Sequence, residues 1–407
     1  MESLAHKNIL LGVSGSVAAY KAAELVRRLI EAGARVQVVM TTGAQVFVTP
    51  MTFQALSGRP VRTELLDTEA EAGMGHIELA RWADVILVAP ASADFIARLA
   101  QGRAQDLLST VCLACKAPLA VAPAMNQAMW EDMATRDNCQ LLQQRGIKLF
   151  GPAEGSQACG DVGPGRMLEA GDLVELTAQL FETGSLTGLT VVITAGPTRE
   201  DIDPVRFISN RSSGKMGYAM ATAAVEAGAK VILVSGPSHE MAPENAQLSM
   251  VRSAQQMYDA VMAVLDGCDI FIATAAVADY KPSQSCDHKI KRGKGDMTLT
   301  LEPTPDILAS VAATGKGIFS VGFAAETNDM ERYASEKRKS KGIDMVVGNQ
   351  VGQGEDAISV GFESEDNEVQ VFWEGDQQRF PKERKTSLAR RLIATIAERF
   401  YANKNSA

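Results

Sequence analysis

At 407 residues the chain is longer than one ordinary core organises, and domains of ~100–200 residues point to two of them. A formal charge of −9 and an isoelectric point of 5.2 give no electrostatic reason to bind nucleic acid or an acidic membrane. Six scattered cysteines, a start (MESLAHKN) without an apolar signal core, and no apolar run near the ~20 residues of a membrane span lead to the expectation of a soluble cytoplasmic protein.

The first predicted elements are strands at Asn8 to Val13 and Arg35 to Met40, joined by a helix from Ala18 to Glu31. In that helix Ala19, Ala22, Ala23, Val26, Leu29 and Ile30 form an apolar stripe at helical spacing. Similar apolar runs follow at Val85 to Ala89 and Pro118 to Ala122. None alternates with polar residues, which predicts strands buried on both faces in a parallel sheet of βαβ units. TGSLTGLT, from Thr183 to Thr190, is short, polar and glycine-containing, and marks a boundary between modules 1–189 and 190–407. Beyond it the scheme repeats, with strands near Val191, Val231, Ile270, Phe319 and Met345 and a closing helix from about Lys382 to Tyr401.

The modules echo each other in sequence. ILLGVSGSVAAYK matches VVITAGPTRE in type, EAGARVQVVM matches EAGAKVILVS, and WADVILVAPASAD matches CDIFIATAAVADY, with Asp84 and Asp269 in corresponding places. The expected fold is α/β: two doubly wound, Rossmann-like modules with mostly parallel sheets. The second carries a long polar and basic excursion, Asp279 to Asp296, directly after a strand. That is a solvated insertion or, since open sheets bind ligands at strand carboxyl ends, a functional loop.

The turn from Gly12 to Ser16 delivers unpaired N–H groups and a positive helix end, able to hold a phosphate, with Ser14 and Ser16 adding hydroxyls. It is not GxGxxG, and no GxxxxGK[ST] occurs, so a mononucleotide such as a flavin phosphate fits better, with a plain βα turn as the alternative. Cys159 sits in GSQACGDVGPGRM, a glycine-rich flap, where a thiol is chemical more often than structural. Cys112 and Cys115 form C-x-x-C without a second pair and read as core.

GHIELARW, APASAD and APAMNQAMW each have bland readings: His76 as a helix-start histidine, Pro90 as a strand stop, Met125 and Trp130 as core. Together, in this order and after a serine-containing glycine turn, they resemble the flavin-dependent cysteine decarboxylase family. The resemblance implies a flavoprotein fold with flavin mononucleotide (FMN) held by Gly12, Ser14, Gly15, Ser16, Thr41, Pro90, Ala91, Ser92 and Ser109. It implies that the flavin withdraws two electrons from the thiol-bearing carbon of an acylated cysteine, that the resulting thioaldehyde lets the neighbouring carboxylate leave, and that the electrons then return. His76 is then the base or carboxylate-positioning group, Asn126 the carboxylate binder and Cys159 the proton donor.

TAGPTREDIDPVRFISNRSSGKMG, from Thr194, offers a second glycine turn and an anion-ready helix start at Ser212 to Gly214, although Asp203, Arg206 and Arg211 also read as a surface ion network. The run resembles phosphopantothenate–cysteine ligases, which stand fused behind such decarboxylases in coenzyme A synthesis. The resemblance implies a nucleotide-binding ligase fold that consumes cytidine triphosphate with magnesium. Ala275, Asp279, Lys289, Pro305, Asp306, Ile307, Leu308, Phe323, Lys337 and Lys341 would contact the nucleotide. Lys289 would serve acyl-cytidylate formation and Asn210 its conversion by cysteine, so the second module makes what the first decarboxylates. For Lys337 and Lys341 a solvated basic helix face is the bland alternative. Where the family usually reads A-N-D, this chain has Gly348-Asn349-Gln350.

Two other readings are a flavin-dependent peptidyl-cysteine decarboxylase or prenyl transferase, which would not need the second module, and a flavin-bearing regulatory subunit, against which His76, Asn126 and Cys159 all stand. The resemblance further implies homo-oligomers, with flavin-module trimers and ligase-module dimers, and small molecules as the only other partners: 4′-phosphopantothenate, cysteine and cytidine triphosphate.

Overall fold

The protein is described by a computed structural model covering residues 4–5, 7–65, 75–291, 297–326, 330–350 and 364–406. It forms two units, Met1–Phe181 and Glu182–Ala407. The TGSLTGLT segment goes with the second: Thr183 N donates to Glu226 O and Leu186 N to Ala227 O, and Leu186 is fully buried in that unit's core.

The first unit runs β1 (Asn8–Val13), α1 (Ala19–Glu31), β2 (Arg35–Met40), α2 (Thr42–Gln45), α3 (Pro50–Ser57), α4 (Gly75–Trp82), β3 (Val85–Ala91), α5 (Ala93–Ala100), α6 (Leu107–Ala114), β4 (Leu119–Pro123), α7 (Gln127–Glu131), α8 (Met133–Gln144), β5 (Lys148–Leu149), β6 (Ala153–Ser156), β7 (Val162–Arg166) and α9 (Ala170–Gln179). Its parallel sheet has the order β2-β1-β3-β4-β5. Because side chains alternate across a strand, β1 gives Ile9, Leu11 and Val13 to the core under α1 and α9, and Leu10 to the core under α5, α6 and α8. Both faces being buried is why the strand reads as an unbroken apolar run. The glycine-rich flap is an antiparallel hairpin, β6 with β7.

The second unit runs β8 (Thr190–Ala195), β9 (Arg199–Asp201), β10 (Phe207–Ser209), α10 (Lys215–Glu226), β11 (Lys230–Ser235), β12 (Ala246–Met250), α11 (Ala254–Ala263), β13 (Ile270–Ala273), β14 (Tyr280–Pro282), β15 (Leu301–Pro303), α12 (Ile307–Ala312), β16 (Phe319–Glu326), α13 (Met330–Lys341), β17 (Met345–Gln350), β18 (Asp366–Trp373), β19 (Asp376–Arg384) and α14 (Lys385–Ser406). Its sheet order is β12-β11-β8-β13-β16-β17-β18-β19, parallel through β17 and closed by two antiparallel strands. β8 repeats the division made by β1, with Val191, Ile193 and Ala195 on one face and Val192 on the other.

The echo between modules has a physical counterpart. Asn8, which opens β1, donates its N–H to Asp84 Oδ2 at 2.9 Å, and Thr190, which opens β8, donates to Asp269 Oδ2 at 2.9 Å. Each aspartate precedes a neighbouring parallel strand and fastens it to the first.

One expectation is corrected. The closing helix starts at Lys385 rather than Lys382, because Glu383 and Arg384 pair with Asn367 and Asp366 in the β18–β19 ladder. That hairpin was signalled by the alternation in NEVQVFW and by Gly375, whose φ of 79° suits a two-residue hairpin turn. The excursion is rooted in a short antiparallel ladder, β14 with β15, and its residues 292–296 lie outside the described ones. Among the described residues no helix is long and apolar enough to cross a membrane.

Candidate functional site

In the first unit the order β2-β1-β3 reverses between β1 and β3, and open α/β sheets bind ligands at such a switch point, beyond the strand carboxyl ends. The turns after β1, β2 and β3 meet there. Gly15 approaches Gly43 so closely that a Cβ on Gly15 would lie 3.1 Å from the Gly43 carbonyl carbon, so any side chain there would push these backbones apart by a few tenths of an ångström. α1 starts without a side-chain cap and without an acidic residue in its first turn, leaving a positive end open to an anion.

The serines differ from their expected role as simple donors. Ser14 Oγ donates to Pro90 O at 2.8 Å and accepts from Ser92 N at 2.8 Å, so its one proton is committed and it staples the β1 turn to the β3 turn. Ser92 caps α5 by accepting from Phe95 N, and Thr41 caps α2 by accepting from Ala44 N. Ser109 is buried and joined to Asp106 in a capping box that opens α6. Ser16 is half-buried and accepts from Ala18 N at 3.3 Å, which leaves its hydroxyl proton for another acceptor. Pro90 and Ala91 end β3 beside this turn; a side chain on Gly12 would run into Leu108.

The flap brings Asn126 and Cys159 together. Asn126 caps α7 through Ala128 N, while its Nδ2 donates to Asp161 Oδ2 at 2.8 Å, to Cys159 Sγ at 3.2 Å and to Gln157 Oε1 at 3.3 Å. The Cys159 thiol also donates to Asp161 Oδ2, at 3.3 Å. Hydrogen bonds from Asn126, then Cys159, hold the Asp161 carboxyl below its ordinary range. The flap docks because Gly165, at φ 128°, has no Cβ to strike Met125 O, and Met125 N donates to Gly165 O at 2.9 Å. By contrast burial pushes the Cys112 thiol far up, Cys139 to about 11 and Cys268 to about 12, as suits core thiols. His76 is half-buried near the start of α4, and among the described residues it makes no hydrogen bond to this cluster.

In the second unit the same reversal occurs between β8 and β13, and their turns are sewn together. Ala276 N donates to Gly196 O, Ala278 N to Thr198 Oγ1 at 3.0 Å, and Asn210 Nδ2 to Val277 O at 2.9 Å, which sets Asn210 against the Ala275 turn. Asp279 is exposed, and its carbonyl receives Thr304 N at 3.0 Å, bringing it beside Pro305. Asp306 caps α12 and pairs with Lys341 at 2.8 Å. Burial pushes the Asp306 carboxyl up, but Lys341 and the Ala309 N–H outweigh it and leave it below its ordinary value. Lys337 donates to Phe323 O at 2.9 Å. One face of α13 thus meets both the β16 end and the α12 start, and is not merely a solvated basic face. Ile307 and Leu308 are core side chains, so only their backbone is open to a ligand at the α12 start. Lys289 is exposed on the excursion, and no hydrogen bond among the described residues joins it to the Asp306 group. Asp203 and Arg206 are paired, with the Asp203 side chain wholly buried and that of Arg206 41% exposed, so only the cation of the pair faces solvent. Asn349 is buried with its Oδ1 lacking a hydrogen-bond partner among the described residues.

Two family models match. One, for flavoproteins, spans residues 1–182, and one for the C-terminal domain of DNA/pantothenate metabolism flavoproteins spans 186–400. The coenzyme A biosynthesis bifunctional protein CoaBC of Vibrio vulnificus (strain YJ016) is 53% identical over 400 residues, covering 97% of this chain and 98% of its own. The proteins of the same name from Escherichia coli (strain K12) and Bacillus subtilis (strain 168) are 49% and 46% identical, covering 99% and 97% of this chain and 99% and 97% of their own. The chain belongs to the CoaBC family. Its membership covers both units, each of the α/β class that the sequence predicts.

Against this family background, sequence reasoning missed Gln157 and Asp161, which flank Cys159 at two-residue spacing and face Asn126. It also missed that Asp203 is buried. The flap motif signalled the first pair, since polar residues around a glycine-hinged thiol are candidates to touch it; no local signal marked the second.

Proposed function

We propose that the second unit joins 4′-phosphopantothenate to cysteine at the expense of cytidine triphosphate, through an acyl-cytidylate, and that the first decarboxylates the product to 4′-phosphopantetheine with FMN. The observation that carries the reading is the meeting of Asn126 and Cys159, from distant sequence motifs, on one exposed carboxylate-binding cluster. Bound FMN would supply a two-electron acceptor that is restored within the turnover. The uncapped α1 start and the Gly15–Gly43 approach, a cradle that a Cβ would fill, fit its phosphate. Asn126 would orient the substrate carboxylate through Nδ2, and Cys159 would give its proton from Sγ to the product carbon. Asp161, already accepting from that thiol at 3.3 Å, would orient it.

In the second unit, Lys337, Lys341 and the α12 start would bind and orient the nucleotide, Phe323 would bear on its base, and Lys289 would neutralise charge at the attacked phosphorus. Among the described residues no group of three or more His, Cys, Asp or Glu side chains is placed to cage a metal. Magnesium therefore belongs to this reading as an ion brought in on the triphosphate, as is usual for that ion, and no residue is assigned to it.

The reading extends to a cytoplasmic protein that self-assembles. Exposed Val46, Phe47 and Met51 near Gly43 are suited to meet another copy, and a site completed between copies accounts for His76 standing apart from Asn126. Incubating the protein with 4′-phosphopantothenate, cysteine, cytidine triphosphate and magnesium should yield 4′-phosphopantetheine and carbon dioxide. Absence of a nucleotide-dependent amide would defeat the ligase half, and accumulation of the carboxylated amide the decarboxylase half.

A further inference from the structure

The excursion after β13 must present Lys289 in one place, although its own composition is polar and residues 283–289 are exposed. What holds it is a turn far away in the chain, the loop between β9 and β10. That turn is closed by Ile202 N donating to Arg206 O at 2.9 Å and Asp203 N to the same oxygen at 3.2 Å. Inside it the Asp203 carboxylate has no solvent exposure. Oδ1 accepts from Val205 N at 2.8 Å and Arg206 N at 2.9 Å; Oδ2 accepts from the Arg206 guanidinium and from Ile290 N at 3.1 Å. Arg206 Nη2 in turn donates to Ile290 O at 3.0 Å, so both polar groups of the Ile290 backbone are gripped by one ion pair. A third bond, Cys286 N to Ile202 O at 3.0 Å, holds the other end of the same segment.

A buried carboxylate is costly unless its lone pairs are satisfied, and five donors satisfy this one. The Val205 and Arg206 N–H bonds would suffice to shape the turn. The Ile290 bonds do something else: they fix the backbone next to Lys289.

We infer that Asp203, acting with Arg206, is a positioning residue for Lys289, holding the 286–290 segment so that the lysine ammonium is presented to the nucleotide during acyl-nucleotide formation. The inference rests on the activating role read for Lys289 above. It separates the two half-reactions, since the Asn210 side chain is held elsewhere, by Val277 O.

The test uses the full-length protein. Asp203→Asn keeps an oxygen for the Val205 and Arg206 N–H groups but replaces the acceptor facing Ile290 N and the guanidinium with an NH₂ donor. Pyrophosphate release from cytidine triphosphate and 4′-phosphopantothenate should fall on the order of 10²-fold, the usual cost of an ångström-scale misplacement. Conversion of chemically prepared 4′-phosphopantothenoyl-cytidylate by cysteine should be unchanged. Hydrogen exchange should quicken at 286–290 and not across β8 and β13. Ile290→Pro removes the N–H donor from the other side of the contact and should give the same split, even where Asp203→Asn folds poorly. Combined with Lys289→Gln, Asp203→Asn should cause no further loss of pyrophosphate release. Equal loss of both half-reactions in both variants, or retention of pyrophosphate release in either folded variant while Lys289→Gln has lost it, would overturn the inference and leave the reading of Lys289 intact. Normal pyrophosphate release by Lys289→Gln would instead overturn that reading and this inference with it.

Discussion

The two units reach the same place by different lengths of chain. In the first, β1 passes through a short turn straight into α1, and the atoms of that turn are already committed: Ser14 to Pro90 and Ser92, Gly15 to the backbone of Gly43. In the second, the path from β8 to α10 is interrupted by the β9–β10 hairpin, and another hairpin, β14–β15, follows β13. A short turn whose Ser14 proton is committed, with Ser16 and the uncapped α1 start left open, makes a rigid seat suited to a resident flavin. The inserted hairpins adjoin Asn210 and Lys289, which on the proposed reading serve a nucleotide that is consumed and must be replaced. On the proposed function, the difference between a resident and a consumed ligand would lie in what stands between strand and helix.

The strongest challenge to this contrast is Cys159→Ser. It should lower formation of the saturated product by ~10²–10⁴-fold, the usual worth of a placed general acid, while carbon dioxide release and nucleotide-dependent amide synthesis persist; reduced amide synthesis would show that the units are not chemically separate. Asn210→Asp should act on the other side alone, still releasing pyrophosphate but accumulating acyl-cytidylate. Normal passage to the amide would remove Asn210 from the reaction.

The shared scaffold can be probed by Asp84→Ala and Asp269→Ala, followed by urea unfolding of the matching unit. Each removes a carboxylate that receives a strand-opening N–H, worth ~1–3 kcal/mol. Asp84 should cost more, being 4% exposed, whereas the Asp269 side chain is 29% exposed. A reversed order would break the parallel between them.

The smallest effect is a pH slope in the second unit. Burial, helped by the neighbouring charge of Lys215, lowers the Lys385 ammonium from 10.5 to about 8. Between those values the unfolded chain keeps a proton that the folded one has shed, so stability rises with pH across that window. Lys385→Met should flatten the rise in denaturant midpoints between pH 8 and 10; an unchanged slope would assign it to other groups.

Much of this architecture was legible because burial on both faces leaves an unbroken apolar run, as in Asn8 to Val13 and Val191 to Ala195. The flap and the β18–β19 pair were harder, since half-exposed strands mix polar and apolar residues and their turns depend on single glycines. The site was legible where a motif is local. The local motifs singled out Ser14, Ser92 and Ser109, but their commitment to backbone and caps was not legible, because a hydroxyl in sequence does not say where its proton goes. The clamp on Lys289 was invisible for a plainer reason: Asp203 and Ile290 are 87 positions apart, and only folding makes them neighbours.

The Asn126 amide already holds a carboxylate, that of Asp161, at 2.8 Å. Any acid arriving at Nδ2 enters as a competitor, and its apparent dissociation constant is the intrinsic one divided by the fraction of molecules in which Asp161 has let go. On the proposed reading of Asn126, Asp161 thus weakens every incoming acid by the same factor, raising the threshold for binding without choosing among acids.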